Sequence, residues 1–149
     1  MHRDYADLLK LIRVTPDRRH AMQAFVDALW PALNKTGVSW MGFYLRSGPD
    51  ELTLGPRRDK PACSPIGLHG ACGQALISKK PLVVRDVAEL GAGYIACDPM
   101  DQSEIVIPLL DENGDCWGVF DADSHEIGAF TNADADGLTA LLREAELTK

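Results

Sequence analysis

Glu104-Ile-Val-Ile-Pro-Leu-Leu110, Asp111-Glu-Asn-Gly-Asp115 and Cys116-Trp-Gly-Val-Phe-Asp-Ala-Asp123 run on from one another without a gap. The outer two segments are rich in β-branched and aromatic residues and read as strands. Asn113-Gly114 between them is a strong hairpin signal. An antiparallel pair is therefore expected here. Pro108 has no N–H to give to a ladder, so its strand needs an unpaired edge or a bulge at that point.

Working outward toward the C-terminus, Phe130-Thr131 open a closing helix. Thr131 is the cap, Asp134 its capping-box partner, and Leu138, Leu141 and Leu142 the buried stripe. Toward the N-terminus, Asp86–Ser103 carries Gly91, Gly93 and Pro99 and shows no period, so a long loop is expected, and loops of this kind in compact domains are commonly functional. Leu82–Val84 reads as a brief strand, Gly70–Ile77 as a short helix opening on a glycine, and Pro61–Leu68 as another short strand. Val38–Leu45 reads as a strand with Glu51–Leu54 as its hairpin partner. Before them, Met22, Phe25, Leu29 and Leu33 recur at helical spacing up to Asn34, with Thr15 as cap and Pro16 in the first turn. Leu8, Leu9, Ile12 and Val14 suggest a first helix. The order implies an α+β fold, an antiparallel sheet with N- and C-terminal helices packed on it, as a single domain over 1–149.

Composition agrees with a globular chain: 149 residues, 46% hydrophobic and 25% charged, which excludes disordered and fibrous classes. The charge is lopsided. Residues 1–85 hold 13 basic and 7 acidic side chains, net +6, whereas residues 86–149 hold only Arg143 and Lys149 against 15 acids, net −13. Nucleic-acid partners are disfavoured, because Arg18-Arg19 and Arg57-Arg58-Lys60 are short clusters without interleaved aromatics. No stretch approaches the ~18 apolar residues of a membrane helix, and no signal-peptide run opens the chain, so a cytoplasmic protein is expected.

In that compartment cysteines are seldom permanent disulfides. Cys63, Cys72, Cys97 and Cys116 have no Cys-x-x-Cys pair and no histidine at zinc spacing, and neither metal nor cofactor is expected. Cys116, beside Trp117 near the hairpin turn, reads as a small core residue. Cys97 lies in the irregular loop, and a loop thiol with other thiols to meet it suits sulfenate-and-resolve redox chemistry. Asp121 and Asp123, two apart on a strand, share a face, and Glu104 on the neighbouring strand can lie across from them. A solvated strand face is one reading. Clustered carboxylates facing a site instead bind a cation or hold a proton for donation. Trp40 and Tyr44 share one strand face and Phe43 takes the other. No role is read for the histidines, nor a phosphate site for Gly67, Gly70 and Gly73.

Several blocks carry a resemblance: Trp40-Met-Gly-Phe-Tyr-Leu45, Leu54-Gly-Pro56, Ala62-Cys63, Gly70-Ala-Cys-Gly73, Tyr94-Ile-Ala-Cys-Asp98, Ser103–Leu109 and Gly118-Val-Phe-Asp-Ala-Asp-Ser124. Together they resemble the free methionine-(R)-sulfoxide reductases, small stand-alone GAF domains. The resemblance implies a GAF fold, commonly a homodimer, that reduces free methionine (R)-sulfoxide and is recycled by thioredoxin. It implies Cys97 as nucleophile, Cys63 as resolving thiol and Cys72 as a second exchange partner. Glu104, Asp121 and Asp123 would hold the substrate's ammonium and polarise its sulfoxide oxygen. Trp40 and Tyr44 would wall the methyl-sulfur end, with Tyr94, Ile95 and Ala96 also at the substrate. The segment between Cys63 and Cys72 is slightly shorter than the family pattern, with Pro65-Ile-Gly-Leu-His69 in place of a Pro-x-Gly stretch. Two alternatives stand beside this expectation: a GAF small-molecule sensor, and a thiol redox sensor without turnover. Sensors of the first kind are normally fused to an output domain, for which this chain has no room, and the second has no need of three carboxylates.

Overall fold

Alternation along the strands divides the protein into two differently built layers. The computed structural model describes residues 2–94 and 97–149. Its strands are β1 (Trp40–Gly48), β2 (Glu51–Arg58), β3 (Leu82–Val84), β4 (Ser103–Leu110) and β5 (Cys116–Ser124). They form one antiparallel sheet in the order β2-β1-β5-β4-β3. The β4–β5 turn forms as its residues dictate. Asp111 accepts from the backbone N–H groups of Asn113 and Asp115 at 2.8 and 3.1 Å, and Gly114 takes φ +81°. Strand β3 pairs with β4 only as far as Val106, so Pro108 meets a partner on the β5 side alone, and a register irregularity follows between Leu109 and Leu110.

One face of the sheet carries Met41, Phe43, Ile105, Ile107, Phe120 and Ala122. It is covered by α1 (Tyr5–Leu9), α2 (Arg18–Asn34) and α4 (Asn132–Glu144). Phe25 of α2 meets Phe43 and Phe120 edge to face, at centroid distances of 5.8 and 5.4 Å. The capping box of Thr131 and Asp134 starts α4. The other face carries Trp40, Tyr44, Val106 and Val119 beneath α3 (Ala71–Ser78) and the chain leading to it. Gly73 in α3 packs so closely on the backbone of Leu68 that a Cβ would collide with it, which explains that glycine without any phosphate.

Four expectations need correction. Helix α2 starts at Arg18 with an extended Asp17 at its cap, not at Thr15 and Pro16. Thr15 precedes a proline and resists helical conformation, and the Asp17 carboxylate faces the His20 ring at 3.0 Å instead of capping an amide. Helix α1 stops at Leu9, after which successive i→i−3 turn bonds from Lys10, Leu11 and Ile12 carry the chain on, because so short a helix gains little from propagation. The Pro61–Leu68 strand reduces to a single bridge, Leu52 with Ile66. Pro61 and Pro65 lack donors, and the Ser64 hydroxyl, not a carbonyl, accepts from Leu54 N at 3.0 Å. Within the Asp86–Ser103 loop, Val87–Gly93 forms 3-10 turns capped by Asp86, broken at Gly91 where φ is +67°. Among the described residues no helix is long and apolar enough to cross a membrane.

Candidate active site

The sheet register assembles the acids. Glu104 of β4 lies opposite Asp123 of β5, Asp123 lies opposite Trp40 of β1, and Asp121 has Gly42 and Val106 on either side. All three carboxylates therefore point to the α3 face. They are 5, 4 and 9% exposed for Glu104, Asp121 and Asp123, so a solvated strand face is excluded. With Trp40, Tyr44, Cys72, Tyr94, Cys97 and Asp101 they line a small cavity of about 40 Å³. The aromatic rings of Trp40 and Tyr44 lie 6.2 Å apart along one wall, and the first turn of α3 supplies another.

Three buried acids cannot all ionise without a partner. Burial, then the charge of Asp123, raises Glu104 to a pKa of about 8. Burial first, with neighbouring carboxylates second, also pushes Asp121 and Asp123 well above the usual range. Glu104 Oε1 and Asp121 Oδ1 are buried with no hydrogen-bond partner. The cavity thus offers unused acceptors and at least one proton at neutral pH. Such a site receives a cationic group or gives a proton to a developing oxyanion.

Sulfur lies at the same place. Cys63 and Cys97 form a disulfide with Cα atoms 5.6 Å apart, and both residues are exposed. Cys72 on α3 is a buried free thiol whose Sγ lies within 4.8 Å of one carboxylate oxygen each of Glu104 and Asp121. Burial, then the charge of Asp121, pushes this thiol up, so Cys72 stays protonated. Those three residues, and separately Asp98, Asp101 and His125, have the donor sets of cation sites. Cys116 is buried, with its thiol donating to the Gly118 carbonyl at 3.1 Å, in agreement with a packing role.

Hydrogen bonds from the aromatic wall hold the Cys63 segment in place. Trp40 Nε1 donates to the Lys60 carbonyl at 2.7 Å, and the Tyr44 hydroxyl donates to the Cys63 carbonyl at 2.8 Å. An outer cleft of about 290 Å³ adjoins the cavity, sharing Trp40, Ala62, Cys97, Asp101 and Asp123 with it and adding Lys60, Pro61, Asp98 and Pro99. Eight of the residues expected at the site, Trp40, Tyr44, Cys72, Tyr94, Cys97, Glu104, Asp121 and Asp123, line the cavity together, and Cys63 joins them through its disulfide. Ile95 and Ala96 lie outside the described residues. Sequence reasoning missed Asp101, a fourth buried acid, 8% exposed, whose pKa burial and Asp98 raise to about 6. It also missed the Lys60, Asp98 and His125 group, since it gave the histidines no role. Lys60-x-x-Cys63 and Cys97-Asp98 were the only local signals.

A five-stranded antiparallel sheet with its pocket under a short helix defines a GAF domain, and the GAF domain family matches residues 15–148. Similar proteins narrow the class. Free methionine-R-sulfoxide reductase of Escherichia coli (strain K12) is 42% identical over 113 residues, covering 74% of this chain and 66% of its own, so the chain spans just under two thirds of that relative. The free methionine-R-sulfoxide reductase of Neisseria meningitidis, solved in complex with its substrate, superposes with a TM-score of 0.82 at 33% identity, over 95% of this chain and 83% of the other. The fRMsr of Staphylococcus aureus in complex with substrate gives 0.86 at 30% identity, over 100% and 98%. Within the GAF domains, this chain belongs to the free methionine-R-sulfoxide reductase family.

Proposed function

We propose that the protein reduces free methionine (R)-sulfoxide to methionine. The observation that carries the reading is three buried carboxylates in one cavity, Glu104 and Asp121 each with an oxygen that has no hydrogen-bond partner, beside the Cys63–Cys97 disulfide. The substrate's α-ammonium is the cation that this cluster lacks, and desolvation inside the cavity strengthens that attraction. Trp40 and Tyr44 receive the apolar methyl-sulfur end.

A sulfoxide sulfur yields to a thiolate only as its oxygen is protonated. Glu104 is the group suited to donate, since at neutral pH it still carries its proton. The Cys97 thiolate attacks the sulfoxide sulfur, forming an S–S bond while Glu104 protonates the oxygen. The resulting hydroxyl passes to the Cys97 sulfur as both its bond to the substrate sulfur and the S–S bond break, so methionine leaves and Cys97 is left as a sulfenic acid. The Cys63 thiol then displaces that oxygen as water and closes the disulfide. Cys72, buried and protonated against Asp121, serves as a second exchange partner only once the loops open. A thioredoxin-type dithiol reopens Cys63–Cys97, whose exposure supports attack from outside. The 149 residues act as one GAF unit, in the cytoplasm, as a homodimer.

Cys97→Ser is expected to abolish reduction, because a hydroxyl is a far poorer nucleophile than a thiolate. Cys63→Ser is expected to keep a single stoichiometric burst of methionine while steady-state turnover with thioredoxin falls. Turnover by Cys97→Ser within tenfold of wild type would remove the thiol mechanism.

A further inference from the structure

We propose that Asp98 is a latch that holds the Cys97 loop against the segment carrying Cys63, so that one carboxylate sets how readily the two thiols meet. The inference rests on the reading of Cys97 and Cys63 as an exchanging pair. Asp98 follows Cys97 directly, and its carboxylate gathers donors from three separate segments. Met100 N donates to Oδ1 at 2.9 Å within the loop's own turn. Lys60 Nζ reaches Oδ2 at 3.2 Å from the segment that leads into Cys63. His125 Nε2 lies 3.0 Å from the same oxygen, just past the end of β5.

Both outer donors stand on anchored chain. The Lys60 carbonyl accepts from Trp40 Nε1, which ties it to the sheet, and Gln102 N donates to the Ser124 carbonyl at 2.8 Å, which ties the loop's exit to the strand end beside His125. The Asp98 side chain is 20% exposed, against 54% for Lys60 and 42% for His125. The Met100 amide, then His125 and Lys60, hold Asp98 ionised, with a pKa of about 2. Asp98 lines the outer cleft but not the inner cavity, so it acts on the approach of the Cys63 segment, through Lys60, and is a positioning residue.

The test equilibrates the reduced protein in glutathione thiol–disulfide buffers, which reads the effective concentration of the Cys63 thiol at Cys97. Asp98→Asn is expected to lower that value about three- to tenfold, the size suited to a partly exposed charge network. Lys60→Met is expected to lower it by a similar factor, and the double variant no further than Asp98→Asn alone. In a single turnover with free methionine sulfoxide, Asp98→Asn is expected to release its methionine burst at the wild-type rate. Its sulfenic acid, trapped with a cyclic 1,3-dione, is expected to live longer by the same factor. An unchanged glutathione equilibrium in Asp98→Asn overturns the latch, as does a burst that slows in parallel with closure. Because the glutathione arm needs no methionine sulfoxide, failure of the latch and failure of the reduction reading give different results.

Discussion

Phe120 and Asp121 are neighbours on β5, both buried and facing opposite sides of one sheet. Phe120 enters an aromatic cluster with Phe25 and Phe43, where each ring meets the edge or face of another. Asp121 enters a cavity with Glu104, Asp123 and a buried thiol, and one of its oxygens has no partner. The first face supplies stability. The second gives some of it up, because desolvated carboxylates close together raise one another's pKa and are relieved only by a proton or a bound cation. A single alternation with period two thus separates what holds the fold from what performs the chemistry.

The sharpest break in that contrast comes from neighbouring substitutions. Phe120→Ala is expected to cost about 3–5 kcal/mol of folding stability, measured by denaturant unfolding. Asp121→Asn is expected to leave stability unchanged at acidic pH and to raise it at alkaline pH, where the native carboxylate is forced to ionise. A loss at Asp121→Asn as large as at Phe120→Ala would mean that both faces are structural.

Glu104→Gln comes next, with a loss in kcat/KM of about a hundredfold or more if it removes the acid. The sign of the pH effect follows from its raised pKa. Glu104 donates only while protonated, so wild-type kcat/KM falls as pH rises through about 8, and the fall at that point is absent in Glu104→Gln. Stability follows the same direction. A carboxyl lifted from its usual 4.5 to about 8 contributes fully below the lower value, and that contribution is lost as pH rises through the upper one. Melting temperature is expected to drop through this window in wild type and to drop less in Glu104→Gln.

The smallest effect belongs to Cys116, on the same face but near the hairpin end. Cys116→Ala is expected to cost on the order of 1 kcal/mol of stability and to leave both the methionine burst and turnover intact. A larger defect in turnover than in stability would make Cys116 a fourth working thiol.

Much of this was legible from the residues, for reasons that differ by position. Glu104 across from Asp123 could be read because Asn113-Gly114 marks the hairpin and strand side chains alternate, and the pairing is regular beyond the irregularity between Leu109 and Leu110. Trp40 and Tyr44 fell on the site face by the same rule. The segment Pro61–Leu68 was misread because its apolar residues resemble a strand, while its two prolines and the Ser64 side chain leave one bridge in place of a ladder. The meeting of Asp98 with Lys60 and His125 was not legible, since those contacts span 38 and 27 residues and depend on the path of two irregular loops. Asp101 was hidden likewise, as a loop acid with no periodic neighbour to show that it turns inward.

Epimer-resolved reduction of free and N-acetylated methionine sulfoxide, followed side by side with a thiol reductant, tests the account most directly. It predicts consumption of the free (R) epimer alone. It also predicts a ten- to hundredfold lower kcat/KM for the N-acetylated (R) epimer, which lacks the ammonium and so forfeits a charge-assisted hydrogen bond worth about 1.5–3 kcal/mol. Equal rates on the two (R) substrates, or no consumption of either epimer, would contradict it.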